Sequence, residues 1–258
     1  DLYCAGVADE EEEGKGIRYL IEHGPIADGS IIGEPTGLRI ARGHKGLEWI
    51  VVKFHGHKVH GGAQSRGVNA IEIASHFVNE IYQNYVPILS TRIDPSLGSP
   101  TINIGTIVGG DQPSTVPDYC EIKMDRRMVS SEDIKQVYKE LNEIARIILN
   151  KHPNCRIEIE DMYNGRTLPH LPFVLDAEDH LIRCVSDALE ETGNNVELTV
   201  FPAWTDAGFL ASQTSSHCIV MGPGDLAVAH STDENVNINQ LYKAARIYCI
   251  TAMRYCKG

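Results

Sequence analysis

Leu47-Glu48-Trp49-Ile50-Val51-Val52-Lys53-Phe54 is the stretch from which the fold is read. Its β-branched and aromatic content predicts a strand. Residues 69–85 follow as an amphipathic helix, with Ile71, Ala74, Phe77, Val78 and Ile81 on one face. Two more strands are expected over residues 101–108 and 116–124, separated by a turn that begins Gly109-Gly110-Asp111. Ser130 or Ser131 is expected to cap a long helix over residues 132–149, with Asp133 in its first turn. A last strand covers residues 155–159. The resulting order, β-α-β-β-α-β, is the ferredoxin-like arrangement.

On either side the pattern changes. A short strand over residues 2–7, a helix over 14–22 and a strand at 30–32 precede this unit. After Asn164-Gly165 come a helix over 176–191, strands over 196–200 and 217–221, and a terminal helix over 240–255. The simplest reading is one α/β domain split in sequence, residues 1–42 plus 166–258, with residues 43–165 inserted as an α+β ferredoxin-like domain.

Composition narrows the function classes. The 258 residues can bury a substantial core. No apolar run reaches the roughly 18 residues needed to cross a bilayer, and Asp1-Leu2-Tyr3-Cys4-Ala5-Gly6 lacks a signal-peptide layout. A formal net charge of −12 argues against nucleic-acid or anionic-membrane partners by repulsion. Seven scattered cysteines with no C-x-x-C pair favour reduced thiols and a cytoplasmic location over a disulfide framework.

Three constellations carry chemistry. Asp9-Glu10-Glu11 follows a short apolar segment, and strand ends are where ligands collect in α/β sheets. Adjacent carboxylates repel unless a cation or solvent offsets them; a solvated acidic helix start is the competing reading. Ile31-Ile32-Gly33-Glu34-Pro35 ends a strand in a Glu held extended before proline, a place where an exposed loop Glu is equally at home. Met221-Gly222-Pro223-Gly224 leads to His230 and Glu234, a plausible imidazole site or an ordinary loop histidine. Together the two glutamates and the histidine form a mixed O/N donor set suited to zinc.

These residues, in this order and across this split-domain layout, resemble the M20 metallopeptidases, the acetylornithine deacetylase and succinyl-diaminopimelate desuccinylase group. The resemblance implies a zinc-peptidase-like catalytic domain with an inserted lid and dimerisation domain. Glu10 then matches the family's general base, Glu11 a ligand of one zinc, Glu34 a ligand of the other, and His230 the ligand that pairs with Glu11. Glu rather than Asp at position 34 resembles the deacylase and carboxypeptidase members. Gly56-His57-Lys58-Val59-His60-Gly61-Gly62-Ala63 resembles the family segment whose histidine, here His60, reaches the partner subunit's site to stabilise an oxyanion. The stretch Asp125-Arg126-Arg127 resembles the one whose arginine holds the substrate carboxylate, and register favours Arg127 over Arg126. Ser114 departs from the asparagine of many relatives. Thr205-Asp206-Ala207-Gly208 and Gly222 resemble pocket-lining stretches; ordinary turn glycines are an equal reading.

The implied chemistry is hydrolysis of an amide bond in an N-acyl amino acid or small peptide, with two zinc ions per complete site and cobalt or manganese as substitutes. Zinc brings the pKa of a bound water to about 7. The resemblance also implies a homodimer formed through the lid. The family further needs a His-x-Asp motif and a bridging Asp upstream; the chain contains no His-x-Asp, and eight residues precede Asp9. The expectation is therefore an N-terminally incomplete catalytic domain, inactive by itself. The alternative is a non-catalytic dimerisation module of the same descent. A nucleotide-binding domain ranks last, since no G-x-G-x-x-G follows a strand.

Overall fold

The structure, a computed structural model, describes residues 1–165 and 168–257. The domain edge expected at residue 166 lies outside the described residues. Along the chain run α1 (Lys15–His23), β1 (Gly29–Ile32), β2 (Ile40–His44), β3 (Gly46–His55), β4 (Val59–His60), α2 (Ala70–Glu80), α3 (Val86–Ser90), β5 (Thr101–Gly109), β6 (Thr115–Val116), β7 (Tyr119–Met128), α4 (Ile134–Lys151), β8 (Arg156–Asp161), β9 (Phe173–Val174), α5 (His180–Glu191), β10 (Leu198–Phe201), α6 (Ala207–Gln213), β11 (His217–Val220) and α7 (Ile238–Tyr255). They fall into two compact units, Asp1–Gly46 with Leu168–Gly258, and Leu47–Thr167. The division expected at residue 43 falls within β2.

The second unit holds a four-stranded sheet in the order β5-β7-β3-β8, with β3/β8 and β5/β7 antiparallel. Alternation along β3 turns Ile50, Val52 and Phe54 into a core shared with Ile73, Phe77, Leu141 and Ile148 of the helices. The Phe54 and Phe77 rings meet edge-on at 5.5 Å. Residues on the other face pair charges across strands, Lys53 with Glu160 at 2.5 Å and His55 with Glu158 at 3.0 Å. Asn69 caps α2 by accepting the N–H groups of Ile71 and Glu72. A π-helical turn over Ile81–Tyr85 joins α2 to α3, so the helix continues past its expected end at residue 85. The wider turn relieves the clash that Pro87 makes with the preceding turn of a regular helix.

Two expectations here are corrected. The cap of α4 is Asp133, which accepts the Lys135 N–H at 3.1 Å, rather than Ser130 or Ser131. The helix starts later because Glu132 is drawn back to Arg126, 2.5 Å away, and to the Val129 N–H. The strand expected over residues 116–124 is two strands, β6 and β7, divided at Pro117-Asp118, as proline's missing N–H requires.

The first unit contains a five-stranded mixed sheet, β1-β11-β2-β10 with β9 added on β2. Strands β1/β11 and β2/β10 are parallel, and β11/β2 is antiparallel. Its central strands β11 and β2 are buried on both faces. Ile40, Ile219 and Met221 join the core beneath α5 and α7, while Ala41, Cys218 and Val220 join the core beneath α1 and α6. Residues 2–7 form no strand: Leu2 is 73% exposed and Tyr3 56%. Their apolar pattern is strand-like, but none of the five strands pairs with them, and an extended segment without a hydrogen-bonded neighbour is not a sheet strand. No helix among the described residues is long and apolar enough to cross a membrane.

Candidate metal centre

Four sequence-selected residues lie in the first unit around the Asp9–Glu13 turn, the end of β1 and the loop after β11. Nε2 of His230 stands 3.0 Å from Oε1 of Glu11, and both side chains are exposed. Glu10 and Glu34 stand close enough to act on each other electrostatically. Burial, then Glu34, Asp206 and Glu11, push the Glu10 carboxyl up to about 7, with His230 opposing. Burial and Glu11 also raise Glu34, and again His230 opposes. A third acid joins them, from the stretch Thr205-Asp206-Ala207-Gly208 that resembles a pocket lining: Asp206, raised to about 6 by burial and by Glu34.

Local structure explains how these groups are held. Asp9 adopts a left-handed backbone (φ 70), and its carbonyl accepts the Gly14 N–H at 2.7 Å, turning the chain tightly through Glu10 and Glu11 into α1. His230 is also left-handed (φ 60), and its N–H donates to the Glu234 carboxylate at 3.2 Å. Non-glycine residues in this region are strained by about 1–3 kcal/mol, a cost that collects at functional sites. Of the four such residues described, one is His230 itself and another, Asp9, lies two positions before Glu11. Gly222 sits against the strand end carrying Glu34, where a Cβ would meet the Glu34 carbonyl oxygen at 2.6 Å. Its N–H donates to Thr36 Oγ1 at 3.2 Å, locking the two loops together. A cleft of about 400 Å³ opens beside them, lined by residues that include Pro35, Pro223, Val228, Glu234 and Val236.

The other candidates are placed elsewhere. Gly208 is buried in α6 under Trp204 and His44, where a Cβ would meet Trp204 Nε1 at 2.7 Å; it admits packing rather than lining open space. His60 and Arg127 belong to the second unit. His60 is exposed at the end of β4, and its Nδ1 accepts the Gly62 N–H at 3.1 Å. Arg127 forms a two-pronged pair with Asp125, at 2.7 and 2.9 Å. Asp125 also accepts the Trp49 indole N–H at 3.1 Å. Arg126 is fully buried and bound to Glu132, so of the two arginines only Arg127 presents a partly accessible guanidinium.

The donors match zinc in kind, an imidazole nitrogen and carboxylate oxygens. They do not match it in number. Among the described residues no group of three or more His, Cys, Asp or Glu side chains is placed to hold a metal ion. A zinc site takes four ligands, or three and a water, so Glu11 and His230 constitute half a set. Burial is the first cause of the elevation of Glu10, Glu34 and Asp206, and neighbouring carboxylates add to it.

Comparison with known proteins bears on the family and the fold. Residues 42–153 match the peptidase dimerisation domain of the M20 family. An acetylornithine deacetylase from Vibrio cholerae is 29% identical over 259 residues, 99% of this chain and 65% of its own length. One from Pectobacterium carotovorum is 30% identical over 239 residues, 92% of this chain and 59% of its own. The chain thus spans less than two-thirds of the curated relatives it matches. Among solved structures, the aminopeptidase PepT from Bacillus cereus superposes with a TM-score of 0.78 over 97% of this chain and 63% of that one, at 21% identity. That likeness concerns the fold.

Proposed function

We propose, from the match of residues 42–153 to the M20 peptidase dimerisation domain and the similarity to acetylornithine deacetylases, that the protein is an M20 enzyme that hydrolyses an amide bond in an N-acyl amino acid or small peptide with the help of bound zinc, as a deacylase or carboxypeptidase. The observation that carries this reading is the Glu11–His230 pair at 3.0 Å with Glu10 and Glu34 gathered beside it. Relatives named acetylornithine deacetylase support an acylated amino acid as substrate.

In this reading Glu11 and His230 hold one zinc ion and Glu34 a second, each set completed by donors beyond those described; cobalt or manganese could take their place. Bound there, zinc would supply Lewis acidity at the amide carbonyl and a more acidic water. Glu10 does the proton work. Its carboxylate, held beside Glu11 and Glu34, takes a proton from the attacking water and returns it to the leaving amine nitrogen. Arg127, once released from Asp125, holds the substrate carboxylate through its planar fork. His60 stabilises the oxyanion in a partner's site, and Gly222 lines the floor beside Glu34; these roles rest on the family resemblance. The protein is a homodimer through residues 42–153 and works in the cytoplasm. The 258 residues assayed alone are inactive, since two donors do not complete a zinc site.

The test is an assay of the native full-length protein against N-acetyl, N-succinyl and dipeptide substrates, before and after chelation. Metal-dependent release of a free amine, lost in Glu10→Gln, is the expected result. Metal-independent turnover, or none with any amide, would sink the reading.

A further inference from the structure

The face of the second unit's sheet turned away from its core carries a cation held by a single partner. Asp125 and Arg127 stand two residues apart on β7, so both side chains lie on one face, opposite Met124 and Met128 in the core. The Asp125 carboxylate takes the guanidinium edge-on: Oδ1 accepts from Nε at 2.7 Å and Oδ2 from Nη2 at 2.9 Å. That is the fork geometry with which an arginine binds any carboxylate. Among the described residues the Arg127 side chain has no other hydrogen-bond partner. Asp125 has one. Its Oδ2 also accepts the Trp49 indole N–H at 3.1 Å. Trp49 is fixed in turn: its carbonyl accepts the Met162 N–H at 2.9 Å, and its ring stacks on that of the buried Tyr163, 5.7 Å away and 17° from parallel.

The two partners are therefore unequal. When the pair opens, Asp125 keeps the Trp49 N–H, whereas Arg127 keeps no bond to the protein. Both side chains are about a quarter exposed, and an ion pair open to water changes an equilibrium by at most about fivefold. The neighbouring pair is built differently. Arg126 and Glu132 are buried, at 0% and 5% exposure, and Glu132 also binds Arg92 and the Val129 N–H. A ligand carboxylate has no access to Arg126, but it can offer Arg127 the same fork that Asp125 does.

We propose that Asp125 is a specificity-determining residue: it stands in for a ligand carboxylate on Arg127, and the substrate's own carboxylate takes its place while Trp49 retains Asp125. The inference deepens the function proposed above and rests on the reading of Arg127 as the group that holds the substrate carboxylate. The exchange sets a threshold. A substrate ending in a carboxylate replaces one ion pair by another, so its affinity is lowered by the strength of the pair it breaks. One ending in a neutral carboxamide leaves the Asp125–Arg127 pair intact and is unaffected by it.

The test uses the native full-length protein, the N-acyl amino acid that it cleaves fastest and the carboxamide of that compound. Asp125→Asn keeps the shape and the Trp49 bond while removing the competing charge. Its KM for the carboxylate substrate is expected to fall by about two- to fivefold. Its kcat and its KM for the carboxamide should be unchanged, and its melting temperature should stay within roughly 4 °C of wild type. Glu121→Gln removes a charge from the same face of β7 without touching Arg127, and is expected to leave both KM values as they are. A KM that stays the same or rises in Asp125→Asn overturns the proposal; a rise would make Asp125 a residue that positions Arg127. An equal fall in Glu121→Gln also overturns it, as the effect of charge alone. So does an Asp125→Asn protein that fails to fold or melts lower than that margin, because the pair would then be a structural tie. Arg127→Met separates this inference from the reading beneath it. If that variant raises the KM for the carboxylate substrate by about tenfold and Asp125→Asn does not lower it, this inference alone falls. If Arg127→Met leaves that KM unchanged, or the wild type cleaves no amide, the earlier reading falls and this inference with it.

Discussion

Glu11 and His230 are separated by 219 positions in sequence and by 3.0 Å between Oε1 and Nε2. Both side chains are exposed, and a solvated pair of this kind adds at most about 1 kcal/mol to stability. Its geometry is therefore better explained by what the two groups jointly hold than by what they contribute to folding. Two donors are half of a zinc set. Purified as the 258 residues alone, the chain is expected to hold zinc weakly, below one ion per chain by elemental analysis, and Glu11→Ala or His230→Ala is expected to remove it. Two tightly held ions per chain would show donors that this reading does not include.

Arg126 and Glu132 anchor the second unit. Arg126 is completely buried, 2.5 Å from Glu132, hydrogen-bonded to the Arg127 carbonyl and 6.0 Å above the Tyr85 ring. Arg92 bridges Glu132 at 2.9 Å and Glu140 at 2.7 Å, and Glu140 accepts the Tyr85 hydroxyl at 2.8 Å. Removing one member of a buried pair strands the other. Glu132→Ala is expected to cost about 3–5 kcal/mol, while the double change Arg126→Met with Glu132→Leu recovers most of it. Urea unfolding of the three proteins decides; a single variant as stable as wild type contradicts the assignment.

Glu48 gives a pH-dependent prediction of known sign. Its carboxylate accepts the Tyr138 hydroxyl at 2.6 Å, and burial, with help from Asp161, raises its pKa to about 7 despite that bond. The folded value lies above the ordinary one, so the fold favours the protonated acid. The contribution to stability is fully present below about pH 4.5 and is lost as pH rises through 7. Glu48→Gln imitates the protonated form and keeps the Tyr138 bond. Its melting temperature should exceed wild type at pH 8 and match it at pH 4.5; equal shifts at both would mean that ionisation is not the cause.

Much of this was legible beforehand, for physical reasons. The lid strands announce themselves through β-branched runs such as Ile50-Val51-Val52, and its helices through one apolar face. Glu11, Glu34 and His230 stood out as polar groups at the ends of apolar segments. What escaped notice was β2, Ile40-Ala41-Arg42-Gly43-His44, whose arginine, glycine and histidine hide a strand that is largely buried. Its polar side chains are satisfied by distant partners, as Arg42 is by the Leu175 carbonyl at 2.7 Å, and distant partners leave no local pattern. Helix α6 escaped for a related reason: seven residues are too few to show a period. In the sequence Asp206 stands out only as part of a stretch resembling a pocket lining; that its side chain is buried and caps no N–H of α6 is visible only in the structure. Residues 2–7 misled in the opposite direction, since a strand pattern specifies a willingness to pair and not a partner.

The last prediction concerns the edge of the second unit's sheet. Strand β5 is terminal in its sheet, pairing with β7 on one side only. Gly105, Thr106, Ile107 and Val108 are all exposed, Ile107 at 51% and Val108 at 67%. A nine-residue edge strand with no charged side chain invites another strand, and this strand lies within the residues that match a dimerisation domain. A lysine is the side chain with which natural sheets guard such edges. With the homodimer proposed above as the starting state, the pair of changes Ile107→Lys and Val108→Lys is expected to give a monomer in light scattering at micromolar concentration. The melting temperature should hold within about 2 °C apart from that lost with the dimer itself, because neither side chain is buried in the protomer. A dimer of unchanged mass and affinity in that variant would exclude β5 as the pairing edge.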